Sequence, residues 1–421
     1  MTPEYIPRIA DILLKESLAS SGAVLIEGPK WCGKTWTAKH AAKSVLYLQD
    51  PDKTSSYLQI ADTKPSLLLK GETPRLLDEW QMAPVLWDAV RFTVDQRQKT
   101  GQFILTGSAS PQDNLVQHTG TGRISRIFMR PMSLFESGES NGTVSLSSLF
   151  AREPNIDSIS SLSIEDLAAA ITRGGWPASV TGPEETAFKR AIDYSEAVIN
   201  HDISKVDGVE KNPARVRSLL RSLARNTASM ATITTIKNDM ALDEAGLSEK
   251  TISGYLSALK RIFVIEDQPA WSPALLSRTA IRTSAKRHFI DPSIAAAVLR
   301  ATPKRLLEDF NTFGILFESL CIRDLRIYAS LLDGEIFHYH DRNDLEADAI
   351  IQLHDGRWGA VEIKLGSRSI DEAANNLHKL KNKIDTGKMQ EPSFLLVLTG
   401  GEFAYRRDDG VYIVPIGCLK P

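Results

Sequence analysis

Gly28-Pro29-Lys30-Trp31-Cys32-Gly33-Lys34-Thr35 is the stretch on which the reading of this chain turns. It has the form G-x-x-x-x-G-K-[ST], follows the apolar run Ala23-Val24-Leu25-Ile26 and precedes Trp36-Thr37-Ala38-Lys39-His40-Ala41-Ala42. Strand, glycine loop and helix therefore succeed one another. Gly28 and Gly33 let the backbone curl until successive N–H groups and a helix N-terminus converge on one anion. Lys34 then reaches the β and γ oxygens of a nucleoside triphosphate, and the Thr35 hydroxyl meets the Mg2+ that travels with it. ATP is the expected ligand, held by Gly28, Pro29, Lys30, Trp31, Cys32, Gly33, Lys34, Thr35 and Trp36.

Binding alone needs no more than this loop, whereas hydrolysis needs a carboxylate on a second buried strand. Arg75-Leu76-Leu77-Asp78-Glu79 supplies it. Asp78 is expected to hold Mg2+ through water, and Glu79 to orient and polarise the attacking water. Phe103-Ile104-Leu105-Thr106-Gly107-Ser108-Ala109-Ser110 is a further apolar strand ending in hydroxyls. Thr106 or Ser108 sits where the γ-phosphate is sensed; a turn capped by hydroxyls is the plainer alternative. Arg123 and Arg126 follow, before Ile127-Phe128-Met129. One of them would stabilise charge on the transferring phosphoryl, within its own subunit or across to a neighbour's; a solvated or ion-paired arginine is the alternative.

Taken together, the loop at 28–35, Leu76-Leu77-Asp78-Glu79, Thr106-Gly107-Ser108 and Gly122-Arg123 resemble the AAA+ branch of P-loop ATPases. More narrowly, the chain is similar to a prokaryotic group in which this ATPase precedes a winged-helix and nuclease-like C-terminal region. Gly174-Gly175-Trp176-Pro177 and Phe317-Glu318 match that group as well. The family usually shows a more uniformly apolar run before its acidic pair; here Pro74 and Arg75 leave a very short strand. The resemblance implies a parallel sheet with helices on both faces, and rings completed by an arginine from a neighbouring subunit.

The chain has 421 residues, which suggests two to four domains at roughly 100–200 residues each. A net charge of −2 excludes a globally basic nucleic-acid coat. Residues 211–290 nevertheless carry thirteen Lys/Arg against six Asp/Glu, so DNA contact, if made, is expected to be local. Cys32, Cys321 and Cys418 lie far apart and fit a reducing cytoplasm. Cys32, beside a helix N-terminus and Lys34, reads either as an oxidisable thiol or as a tolerated loop residue. No apolar stretch approaches the ~18 residues of a membrane span.

The hydrophobic pattern divides the chain into an α/β P-loop domain at 1–136, a helical lid and connector at 137–210, a winged-helix-like domain at 211–300 and a fourth domain at 301–421. Residues 137–148 and 158–163, rich in serine and glycine, read as exposed loop or linker. Between 211 and 290 three helices precede an extended run, a winged-helix order, with Lys250, Lys260 and Arg261 on the polar side of the third. Such a module serves DNA binding in some chains and protein packing in others.

The last domain carries a second constellation. Glu318 lies on a helix, Asp348 on one strand of a hairpin, and alternation throws Glu362 and Lys364 to one face of the other strand. Asp348 and Glu362-Ile363-Lys364, with Glu318, resemble the restriction-endonuclease-like superfamily and its PD-(D/E)xK pattern, although Ala347 stands where proline is frequent. The resemblance implies an α+β fold in which Asp348 and Glu362 bind a divalent metal beside Glu318 and Lys364; solvated strand-edge charges are the alternative. Two functions follow: an ATPase whose nucleotide state drives the C-terminal region on DNA, or a nucleotide-dependent switch that binds a protein partner through an inactive nuclease-like domain.

Overall fold

The computed structural model describes residues 5–108, 120–152, 154, 156–206, 208–241, 248–273, 284–384 and 389–421. The chain forms two compact units. The first comprises Met1–Pro131, Ser204–Val209 and Ala258–Phe263, and the second the remainder.

In the first unit the apolar runs become five parallel strands, β1 (Ala23–Glu27), β2 (Ser44–Tyr47), β3 (Arg75–Asp78), β4 (Phe103–Gly107) and β5 (Ile124–Phe128), in the order β2-β3-β4-β1-β5. Val24, Leu25, Ile26, Leu76, Leu77, Phe103, Ile104 and Leu105 are fully buried, as a parallel sheet covered on both faces requires. Parallel register sets Tyr47, Asp78, Thr106 and Ile26 side by side, so the strands' carboxyl ends gather the polar groups. The helix Ile9–Ser20 packs beside β1, burying Ile9, Ala10 and Leu14.

The second unit holds a seven-stranded mixed sheet. The serine-rich stretches first give β6 (Val144–Ser145) and β7 (Ser158–Ile159), and a hairpin follows as β8 (Ile265–Gln268) and β9 (Lys286–Phe289). After the helix Phe310–Ser330 come β10 (Gly334–His340), β11 (Glu346–Leu353) and β12 (Trp358–Lys364), an antiparallel meander. The helix Ile370–Lys383 crosses to β13 (Leu395–Thr399), which runs parallel to β12. Then come β14 (Phe403–Arg406), β15 (Tyr412–Pro415) and β16 (Leu419–Lys420). The order is β10-β11-β12-β13-β15-β14-β7. The three helices expected between 211 and 261 are Pro213–Arg225, Ile233–Met240 and Glu249–Arg261, and β8 and β9 follow them.

The reading of 137–148 and 158–163 as exposed loop or linker is corrected. β6 pairs with β16 and β7 with β14; Ser140, Val144, Leu146, Leu149 and Ser160 are buried. Serine hydroxyls, which read as solvated, are here bonded to backbone: Ser140 Oγ donates to Leu419 O (2.7 Å) and Ser145 Oγ to Pro421 O (2.7 Å).

Gly174-Gly175-Trp176-Pro177 ends the helix Ile164–Arg173 and ties it to a buried network. Gly175 N donates to Asp291 Oδ2 (3.0 Å) and Trp176 Nε1 to Ser293 Oγ (2.9 Å). Asp291, fully buried, also takes the Ser293 N–H and hydroxyl and pairs with Arg323 (2.8 Å), whose other nitrogen pairs with Asp324 (2.7 Å). Asp324 in turn accepts Leu134 N (2.9 Å). A buried network of this kind is costly to break from one side, because the partner charge is left without compensation. Asp291→Ala is expected to lower the stability of this unit by about 3–5 kcal/mol, read from urea denaturation followed by circular dichroism.

Candidate functional site

The glycine loop is closed in on itself. Gly28 has φ +154° and a Cβ there would lie 2.1 Å from Met129 O; Gly33 has φ +105° and caps the helix Lys34–Ala41. Trp31 adopts φ +68° and leaves its indole about half exposed, as does Trp36, over whose ring Lys39 lies. Cys32 is buried and its thiol donates to Met129 O (3.4 Å), which removes the basis for an oxidisable sensor. Arg8, which no motif singles out, donates to Cys32 O (2.8 Å) and Arg130 O (2.9 Å) and braces the loop from outside.

Lys34 is 6% exposed, and its ammonium donates to Gly28 O (2.9 Å) and Pro29 O (2.7 Å). Among the described residues no carboxylate pairs with it. A buried ammonium held only by carbonyls is a cation awaiting an anion, and this fits a bound triphosphate. Asp78, fully buried, accepts Thr35 Oγ1 (2.8 Å) and Thr106 Oγ1 (2.6 Å) on one oxygen and Gln49 Nε2 (2.6 Å) on the other. A hydroxyl and a carboxylate in mutual contact at strand ends are the donor set that Mg2+ with its waters prefers.

Glu79 leaves β3 in the left-handed region, φ +57° and ψ +46°, a conformation that costs a non-glycine residue about 1–2 kcal/mol. Its carboxylate accepts Gln81 Nε2 and Ser108 Oγ (3.4 Å). Ser108 thus faces Glu79, while Thr106 bridges Asp78 and the Glu79 N–H (3.4 Å). The neighbouring Ala109 and Ser110 lie outside the described residues. Arg123 Nε donates to Asp95 (2.7 Å), and Arg126 stands 3.6 Å from Glu27 and over the Trp87 ring. Burial pushes the Glu27 carboxyl up, with Arg126 opposing. Both arginines therefore engage carboxylates of their own unit. Gln49 and Gln81 escaped sequence reading because glutamines just past strand ends carry no spacing signal.

The second constellation does assemble. Glu318, Asp348, Glu362 and Lys364 meet, joined by Lys286 from β9, which the sequence did not single out. Lys286 Nζ is 3.0 Å from Glu318 Oε1 and 3.5 Å from Asp348 Oδ1; Lys364 Nζ is 2.7 Å from Glu362 Oε2 and 3.5 Å from Asp348 Oδ2. Ile363 N also donates to Asp348 Oδ2 (2.8 Å). Burial, then the Asp348 charge, pushes both glutamate carboxyls up. Burial works against the two ammoniums, yet the carboxylates around them hold both above the ordinary lysine range. Among the described residues no group of three or more His, Cys, Asp or Glu side chains is placed to hold a metal ion. As arranged, Asp348 and Glu362 do not fit the divalent ion expected of them, because ammoniums stand against both Asp348 oxygens and Glu362 Oε2.

The glycine loop, the parallel sheet and the contact of helix residue Thr35 with Asp78 at the end of β3 give the first unit the architecture of a P-loop domain. Residues 20–137 of the chain match the family described as AAA domain. Residues 164–305 match a domain of unknown function (DUF8612), and 313–419 a second (DUF4143). The chain is 25% identical over 362 residues to uncharacterized proteins of Mycobacterium bovis and Mycobacterium tuberculosis, covering 85% of this chain and 73% of each relative. Solved structures similar to it include the Walker-type ATPase of Pyrococcus abyssi, at 14% identity and TM-score 0.42, covering 70% of this chain and 96% of that one. The Aeropyrum pernix ORC1 protein in complex with DNA is 13% identical with TM-score 0.25, covering 71% and 95%. AMPPCP-bound DnaA from Aquifex aeolicus is 15% identical with TM-score 0.29, covering 62% and 89%. No helix among the described residues is long and apolar enough to cross a membrane.

Proposed function

We propose that this chain binds Mg·ATP at Gly28–Trp36 and hydrolyses it, and that its nucleotide state drives a C-terminal region of winged-helix and restriction-endonuclease-like folds. The observation that carries the reading is Lys34, a buried ammonium held by two loop carbonyls beside the Thr35–Asp78 pair. Lys34 and the loop amides bind the β and γ phosphates, Thr35 and Asp78 hold Mg2+, and Glu79 positions the attacking water with Ser108 beside it. The metal, when bound, contributes charge neutralisation at the phosphate oxygens. The Arg123–Asp95 pair is half exposed and worth about 0–1 kcal/mol. Arg123 is thus readily released to a neighbouring copy's nucleotide, and the reading includes a homo-oligomer, tested by light scattering with and without ATP. A cytoplasmic setting accords with three free cysteines.

Action on DNA is supported by the three helices and the β8–β9 hairpin, with Lys250 and Lys260 exposed on the third helix. Much of the local cationic excess is already spoken for: Arg217 pairs with Glu196, Arg225 with Asp239, Arg287 with Asp267, and Lys286 with Glu318. That pairing, and the lysines on the carboxylate cluster, favour a second reading, a nucleotide-dependent switch for a protein partner. ATP turnover measured with and without duplex and single-stranded DNA separates the two. The DNA reading expects turnover to rise several-fold with one of them and that rise to fall with added salt; unchanged turnover selects the switch.

A further inference from the structure

We infer that Lys286 is the resident cation of the carboxylate cluster, its ammonium standing between Glu318 and Asp348 where a divalent ion would have to sit, so that this domain works without a metal. Mg2+ needs oxygens about 2.0–2.1 Å away in an octahedral shell, and Ca2+ about 2.3–2.6 Å. An ion bridging Glu318 Oε1 and Asp348 Oδ1 would therefore coincide with the Lys286 ammonium, 3.0 Å from the one and 3.5 Å from the other. An ion between Asp348 and Glu362 would meet Lys364 instead, which contacts both.

Lack of access is not what keeps metal out. A cavity of about 690 Å3, lined by Phe310, Ile315, Glu318, Lys364 and Arg368 among others, opens onto the cluster from the side of the helix Phe310–Ser330. Nor has Lys286 open space to swing into, since its side chain is only 7% exposed and the hairpin that carries it is fastened to the same domain. The fully buried Gln268 donates to Asp348 O (2.8 Å) and Phe337 O (2.9 Å). His288, two residues from Lys286, hydrogen-bonds Gln268 (3.0 Å) and Ser319 (3.3 Å), and Arg326 donates to Asp267 O (3.0 Å). The cation thus arrives by folding rather than from solution, and the same contact clamps the β8–β9 hairpin onto the sheet. This inference is independent of the nucleotide site, and a failure of ATP binding would leave it intact.

The test is Mn2+ titration of the full chain without nucleotide, with free Mn2+ followed by electron paramagnetic resonance. The set comprises wild type, Asp348→Asn, Lys286→Ser and Lys286→Ser with Asp348→Asn. Wild type and Asp348→Asn should bind Mn2+ alike. Lys286→Ser should gain a site about tenfold or more tighter than any Asp348-dependent binding by wild type, and the double variant should lose it. Mn2+ binding by wild type that disappears in Asp348→Asn overturns the inference, as does a folded Lys286→Ser with no new site. Should circular dichroism show Lys286→Ser unfolded, the comparison of wild type with Asp348→Asn decides alone.

Discussion

Glu79→Gln is expected to lower ATP turnover about 10²- to 10⁴-fold while leaving Mg·ATP affinity within a few-fold of wild type. The substitution keeps the size of the side chain and its capacity to accept from Gln81 and Ser108, but removes the negative charge that polarises water. Asp78, the group placed for the metal, is untouched, and so is the loop around Lys34. The split between binding and turnover is what assigns Glu79 its role. A parallel loss of affinity would instead mean that Glu79 shapes the pocket through its left-handed backbone, which glutamine would hold no better. Steady-state phosphate release together with calorimetric Kd values distinguishes these outcomes.

Lys34→Ala should weaken Mg·ATP binding about 30- to 1,000-fold, from the loss of charge-assisted bonds to phosphate worth about 2–4 kcal/mol in all. Without nucleotide the effect on stability should have the opposite tendency. Among the described residues the buried ammonium meets no counter-charge and bonds only to Gly28 O and Pro29 O, so its removal relieves a desolvation cost. Thermal unfolding of the ligand-free variant should accordingly match or exceed that of wild type, while the ATP-dependent rise in midpoint expected of wild type should be largely lost. A ligand-free variant several degrees less stable, with its ATP response retained, would make Lys34 a structural residue.

The loop and its strand were legible because everything needed lies within the consecutive residues 23–42, where glycine positions, apolar run and helix agree. The short β3 was legible for the same reason, its acidic end fixed by two apolar residues. Strand order was not, since β1 lies between β4 and β5, far along the chain from both. Gln49 reaches Asp78 only because parallel register sets β2 beside β3. In the second unit, hairpin alternation correctly put Glu362 and Lys364 together, but Lys286 is 62 residues from Asp348 and belongs to another hairpin, so no local pattern marks it. Serines misled the reading of 137–148 and 158–163, because composition cannot tell a hydroxyl bonded to water from one bonded to a distant backbone carbonyl.

β7 has a practical bearing on how the protein is divided. Excising 301–421 as a self-contained fragment would strip β14 of Ser158–Ile159 and β16 of Val144–Ser145. The orphaned rim of the sheet, with Phe403 and Tyr405 already facing solvent, would present unpaired amides to any passing copy and invite edge-to-edge stacking. A fragment that keeps its solubility has to begin ahead of Ser140, so the first polar turns after the nucleotide domain travel with the C-terminal sheet as its selvedge.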